Sequence, residues 1–156
     1  MSAVDRLYVV RHAHAGARGP DAADRHRPLS ERGHKQAAAL REQLAAAGIT
    51  RLVSSPFRRC IDTLAPLAGM TGVEVEEDPR LEEARGAAGA LEVAAELRGV
   101  TAAICSHGDV IPDLLDELVR SGVRFSDDLR WPKASTWILT RSNGGFSKAR
   151  YVPPPA

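Results

Sequence analysis

The sequence predicts one α/β domain built around a mostly parallel sheet. Short continuous apolar runs rich in β-formers, at 7–10 and 100–105, read as strands buried on both faces. Segments with apolar residues at helical spacing separate the strand candidates, so strands and helices alternate along the chain. The 156 residues are 44% hydrophobic, enough to fold around one sizeable core. There is no internal repeat and no linker that would divide the chain, so residues 1–156 read as a single domain.

Taken in order, the strand at 7–10 runs into a polar loop at 14–28, long enough to suggest a function. Ser30 begins a helix: its hydroxyl can cap the first turn and Glu31 suits the positive end of the dipole. Ala37, Leu40, Leu44 and Ala47 keep the helical spacing, and Gly48 marks a stop. A second strand at 49–53 ends in Ser54-Ser55-Pro56, and a helix spans 57–68. Residues 73–75 form a short strand candidate. The mixed Glu, Arg, Gly and Ala stretch at 80–90 reads as loop, with a helix at 91–97. After the strand at 100–105 comes Ser106-His107-Gly108. Asp109 is placed to cap a helix reaching about Val119, with Pro112 tolerated in its first turn. Late strands are expected at 136–139 and 149–152, and the prolines at 153–155 are expected to fray.

A net charge of +1 gives no global attraction to nucleic acid or membrane, so any anion site must come from a local basic cluster. Aromatic residues are only 4%, leaving Ala, Leu and Val to fill the core. Cys60 and Cys105 stand in apolar contexts without metal or redox spacing and read as small buried hydrophobes. The opening apolar run is too short for a signal peptide or a membrane span, so a soluble cytoplasmic chain is expected.

Three segments at strand ends carry the chemistry: Arg11-His12, Ser54 through Arg59, and Ser106-His107. Ligands of parallel sheets bind beyond the carboxyl ends of the strands, where these segments converge. Two imidazoles and at least two guanidiniums around one space suit a phosphate. The guanidinium fork grips two oxygens, and the helix starts near Phe57 and Asp109 add donors. A neutral imidazole among them can attack phosphorus, and the arginines stabilise the transferring group without a metal or other cofactor. His12 and His14 form an H-x-H pair facing one side of a strand, but no nearby Cys or Asp completes a zinc pattern. Arg18, Arg25 and Arg27 could line the mouth of the pocket. Arg58, His26 and His34 read as solvated, and Trp131 and Trp137 as core or rim packing.

Arg11-His12-Ala13, SSPFRRCIDT and CSHGDV, in that order, resemble the three signatures of the histidine phosphatase superfamily, also called phosphoglycerate-mutase-like. RPLSERGHKQA resembles the helix opening of small bacterial phosphohistidine phosphatases, and of the phosphatase domain that follows a Nudix domain in some bacterial proteins. The match spreads from about residue 7 to residue 140. It implies a three-layer α/β/α fold and a phosphatase without cofactors. His12 would be the nucleophile, Arg11 and Arg59 phosphate ligands, and His107 both a ligand and a charge stabiliser. Within Arg80-Leu81-Glu82-Glu83, Glu83 fits the spacing of the family's general acid best, with Glu82 as the alternative. Ala13 in place of the family's Gly, and Asp62 in place of its Gln, point to the smaller branches and leave the substrate open among phosphorylated small molecules, nucleotides and phosphoproteins. The sequence also admits a phosphate-binding regulatory module with little turnover. A mutase fits less well, because the chain is expected to be too short for the segments that would enclose a sugar-like acid.

Overall fold

The computed structural model describes residues 5–18 and 21–156. Its elements are β1 (Arg6–Arg11), α1 (Asp21–Asp24), α2 (Glu31–Leu44), β2 (Arg51–Ser54), α3 (Arg58–Thr71), β3 (Val75–Glu77), a 3₁₀ turn (Pro79–Leu81), α4 (Gly86–Glu96), β4 (Ala102–Ser106), α5 (Val110–Arg120), β5 (Arg124–Phe125), β6 (Thr136–Ser142) and β7 (Gly145–Val152). The strands form one seven-stranded sheet in the order β3-β2-β4-β1-β6-β7-β5. All run in one direction except β6, which is antiparallel to both β1 and β7.

The two apolar strands divide their side chains between two cores. Leu7 and Val9 of β1, with Ala102 and Ile104 of β4, face α4 and α5. Tyr8 and Val10, with Ala103 and Cys105, face α2 and α3. A strand buried on both faces has to be apolar at every position, which is why these runs do not alternate. The result is a sheet sandwiched between helix pairs. No helix among the described residues is long and apolar enough to cross a membrane.

Several boundaries depart from the sequence reading. The stretch expected as loop at 80–90 holds the 3₁₀ turn and the first turn of α4. Small residues let this helix lie on the preceding segment: a Cβ on Gly89 would come within 2.4 Å of the Arg80 carbonyl oxygen. Asp109 does not cap α5. Its own backbone is already helical, and its Oδ2 accepts from Ala84 N at 2.7 Å, tying the turn before α4 to the start of α5. The third strand lies two residues later than expected. The loop at 14–28 contains the short α1. At β6–β7, Asn143 and Gly144 both take positive φ, as a tight hairpin turn requires. The prolines at 153–155 add no strand, and Pro154 and Pro155 lie beside Arg32 and Lys133.

The Ser30 cap forms as expected, with Oγ accepting from Gly33 N at 3.1 Å. Gly33 also brings α2 against the loop after β1, since a Cβ there would fall 1.9 Å from the His14 carbonyl oxygen. In an exposed helix Gly→Ala gains up to about 1 kcal/mol. Here the backbone it would strike cannot rotate away, so Gly33→Ala is expected to cost about 1–3 kcal/mol, the usual toll of overpacking. Urea unfolding measures it, and a raised midpoint would contradict the contact.

Candidate active site

Parallel pairing places Arg11 beside Ser106, and His12 N continues the ladder to Ser106 O at 3.1 Å. His12 and His107 therefore leave adjacent strands together, with ring centroids 5.5 Å apart. β2 contributes Ser55, whose N donates to Cys105 O at 3.0 Å, and α3 then presents Arg59. The three segments singled out in the sequence meet on one rim.

His12 is 5% exposed. Its Nδ1 lies 2.8 Å from the Ala13 carbonyl oxygen, which can only accept, so Nδ1 carries the hydrogen and Nε2 keeps its lone pair. Burial pushes its pKa down from 6.5 to about 3, against the pull of the Ala13 carbonyl; His107, Arg59 and Arg11 push it further. The ring is thus neutral throughout the physiological range. Ala13 is held in turn by α3: Thr63 Oγ1 accepts from Ala13 N at 2.9 Å and donates to Arg59 O at 2.6 Å.

Arg11 turns back across the rim and donates from Nη1 to Trp131 O at 2.9 Å. Its guanidinium lies over Gly108, where a Cβ would come within 2.5 Å of Nη2. Arg59 is fully buried. It donates to Asp24 O (2.9 Å), Asp24 Oδ2 (3.2 Å) and Glu83 Oε1 (2.5 Å). His107 is also buried. Its Nε2 lies 2.9 Å from Ser55 Oγ and 3.6 Å from Cys60 Sγ, and its Nδ1 faces Glu83 Oε1 at 3.5 Å. Arg11 Nε, Arg59 Nε and His107 Nδ1 are buried without a hydrogen-bond partner among the described residues. Leaving a buried polar group unsatisfied costs about 1–3 kcal/mol, and such groups gather where a ligand completes them. An oxyanion has the acceptor oxygens that cationic donors need.

A cavity of about 500 Å³ opens over this cluster, lined by Arg11, His12, Arg18, Arg27, Glu83 and Lys133 among others. Arg59 and His107 are buried and do not line it, whereas Glu83, which contacts both, does. Glu83 also pairs with Arg18 at 3.1 Å, whereas Glu82 is bound to Arg25 at 3.0 Å. Arg27 contacts Asp24 at 3.2 Å and donates to Gly16 O. Arg58 points to solvent and pairs with Asp62. His14 lies past the end of β1, and its Nδ1 bonds Ser30 Oγ at 2.7 Å, so the H-x-H pair does not share a strand face. His26 and His34 are exposed.

Four participants escaped the sequence reading: Asp24, Ser55, Thr63 and Lys133. Ser55 and Thr63 stand inside the quoted SSPFRRCIDT segment, so proximity to that motif was an available signal. Asp24 ends α1 inside the loop at 14–28 that the sequence had marked for function, whereas Lys133 stands in a loop with nothing in its neighbours to mark it.

The profile of the histidine phosphatase superfamily (branch 1) matches residues 7–88. The 8-oxo-(d)GTP phosphatase of Mycolicibacterium smegmatis is 37% identical over 157 residues, covering 96% of this chain and 48% of that protein. This chain therefore spans about half the length of that curated relative. Among solved structures, the fold is shared with the protein histidine phosphatase SixA complexed with tungstate (TM-score 0.75, 19% identity, 97% of this chain and 96% of that one). It is shared too with the mycobacterial glucosyl-3-phosphoglycerate phosphatase complexed with VO3 (TM-score 0.72, 24% identity, 97% and 100%).

The depressed pKa of His12 has a consequence for stability. Between pH 6.5 and about 3 the unfolded chain binds a proton at His12 that the folded chain does not. Stability is therefore highest above 6.5 and declines as the pH falls, by up to about 1.4 kcal/mol per pH unit from this group. Urea unfolding of His12→Asn between pH 4 and 6.5 should show a shallower decline than the parent. An identical slope would contradict a buried neutral ring.

Proposed function

Because the chain belongs to the histidine phosphatase superfamily, branch 1, we propose that it is a phosphatase that transfers a phosphoryl group to His12 and then to water. The observation that carries this reading is the state of His12: buried, neutral, its Nδ1 held by the Ala13 carbonyl and its Nε2 lone pair available. Nothing need be deprotonated before it attacks.

Nε2 forms the bond to phosphorus as the bond to the leaving oxygen breaks. The imidazole becomes a cation, and Ala13 O, still accepting from Nδ1, stabilises it. Arg11, Arg59 and His107 hold the phosphoryl oxygens, matching the charge that spreads over them in the transition state. For Arg59 this means exchanging part of its contact with Glu83 for substrate. Glu83, as the general acid, donates a proton to the leaving oxygen. In the second step water attacks phosphorus, the P–N bond breaks, and Glu83 takes the proton of the water. Inorganic phosphate leaves and His12 returns to its starting state.

The relatives are named for different phosphorylated substrates, one of them 8-oxo-(d)GTP. The substrate class proposed is accordingly a phosphate monoester, a phosphohistidine or a terminal phosphoanhydride, on a small molecule, nucleotide or phosphoprotein.

The direct test is rapid quench into alkali after mixing with labelled substrate. A phosphoramidate survives alkali and is lost in acid, and the label should map to the peptide holding His12. His12→Ala should lose label and turnover together. Full activity in that variant would overturn the mechanism, and no hydrolysis of p-nitrophenyl phosphate by the parent chain would favour a regulatory phosphate-binding module.

The two adjacent arginines should separate sharply. Arg59→Ala is expected to lower kcat by about 10²–10³, the usual effect of removing one transition-state donor. Arg58→Ala, which loses only an exposed ion pair, should change it little. The reverse ranking would show that the wrong guanidinium had been assigned.

A further inference from the structure

Beside the cavity over His12 lies a second pocket of about 410 Å³, lined by His14, Arg32, Gln36, Lys133 and the prolines 132, 154 and 155. Lys133 is the residue that lines both. We propose that Lys133 and this side pocket form a second anion subsite, which binds the phosphate next to the scissile one in a terminal phosphoanhydride. The proposal rests on the phosphatase reading and narrows it from three substrate classes to one.

Lys133 is half-buried, and among the described residues it has neither an ion pair nor a hydrogen bond. The carboxylates near the cavity are engaged elsewhere: Asp24 with Arg59 and Arg27, Glu83 with Arg18 and Arg59, and Asp109 with Ala84 N. The charges that act most strongly on Lys133 are positive. Burial lowers its pKa first, and Arg11, Arg27, Arg32 and Arg59 lower it further. An ammonium without a counter-charge of its own, beside other cations, is unfavourable until an anion arrives, so a second negative group on the substrate gains at this position.

The backbone that carries Lys133 is also held in place. Ala134 N donates to both Arg11 O (3.1 Å) and His12 O (3.2 Å), and Ser135 N closes a turn on Pro132 O at 3.0 Å. Ala134 is buried with φ +67, a conformation rarely adopted by residues other than glycine, asparagine and aspartate. Strain of this kind persists where surrounding structure over-determines the backbone. The backbone at Ala134, next to Lys133, is thus tied to His12 and its neighbour Arg11.

An anhydride suits this geometry because its two phosphorus atoms share one bridging oxygen. When His12 Nε2 bonds to the terminal phosphorus, the bond from that phosphorus to the bridging oxygen breaks. The oxygen leaves with its electron pair on the second phosphate, beside Lys133. Lys133 would stabilise this leaving group electrostatically, whereas a monoester of an uncharged alcohol brings nothing to it.

The test compares kcat/KM for guanosine diphosphate with that for p-nitrophenyl phosphate. In Lys133→Met the ratio should fall by about tenfold, the scale of one lost charge-assisted contact, and Lys133→Arg should restore most of it. A fall of less than fivefold in Lys133→Met overturns the proposal, as does an equal or greater loss on a phosphorylated hydroxy acid, whose second anion is a carboxylate. Calorimetric binding of inorganic pyrophosphate to the His12→Ala protein gives a readout that needs no turnover. Adding Lys133→Met should weaken pyrophosphate by about tenfold and orthophosphate by less than half that factor; equal effects overturn the subsite. If the parent chain turns over neither substrate, the phosphatase reading fails, and the pyrophosphate comparison still decides for or against the subsite.

Discussion

Parallel pairing of β1 with β4, in the register that sets Arg11 beside Ser106, is the constraint on which the site depends. In that register the strands end together, and His12 and His107 emerge side by side. Slipping the pairing by one residue would move every side chain of β1 to the opposite face, carrying Leu7 and Val9 out of one core and Tyr8 and Val10 out of the other. The register is therefore secured by the burial of four large side chains, each worth about 1.5–3 kcal/mol. The imidazoles inherit their separation from hydrophobic packing rather than from any attraction between them. His107 in fact pushes the pKa of His12 down.

A second consequence of the sheet is the burial of Arg59. α3 begins just after β2, so its second residue points under the rim and away from water. A guanidinium taken out of water must be compensated, and Asp24 and Glu83 compensate it from two loops distant in sequence. Removing one partner of such a pair costs several kcal/mol, because the remaining charge is stranded. The cation thereby organises the loop after β1 and the turn before α4 around itself. Its Nε, buried without a protein acceptor among the described residues, is the observation that supports the proposed oxyanion site here.

Much of this was legible in the order of residues. The apolar runs at β1 and β4, the Ser30 cap and the alternation of strands with helices all follow from local chemistry; α2, however, ends at Leu44 with Ala45 as its C-cap, short of the stop expected at Gly48. Positions of Arg11, His12, Arg59, Glu83 and His107 along the chain were readable from motif spacing. The errors fall where distant contacts prevail over local preference. Asp109 looks like a helix cap, yet Ala84 N captures its carboxylate. The Gly- and Ala-rich stretch before Leu91 looks like loop, yet it packs as helix because only small residues fit against Arg80. The Asn143-Gly144 pair was a readable hairpin signal, and it reverses the one antiparallel strand.

By itself the sequence determined the α/β class and picked out the candidate site residues, those of Arg11-His12 and Ser106-His107 at strand ends, because strand burial, capping and motif spacing are properties of neighbours along the chain. Only the tertiary structure decided how those side chains stand toward one another: that Arg59 and His107 are buried against Glu83, that Glu83 joins them to Arg18, and that Lys133, more than a hundred residues beyond His12, lines the same cavity. Burial, desolvation and ion pairing act through space between residues far apart in the chain, so no local pattern encodes them.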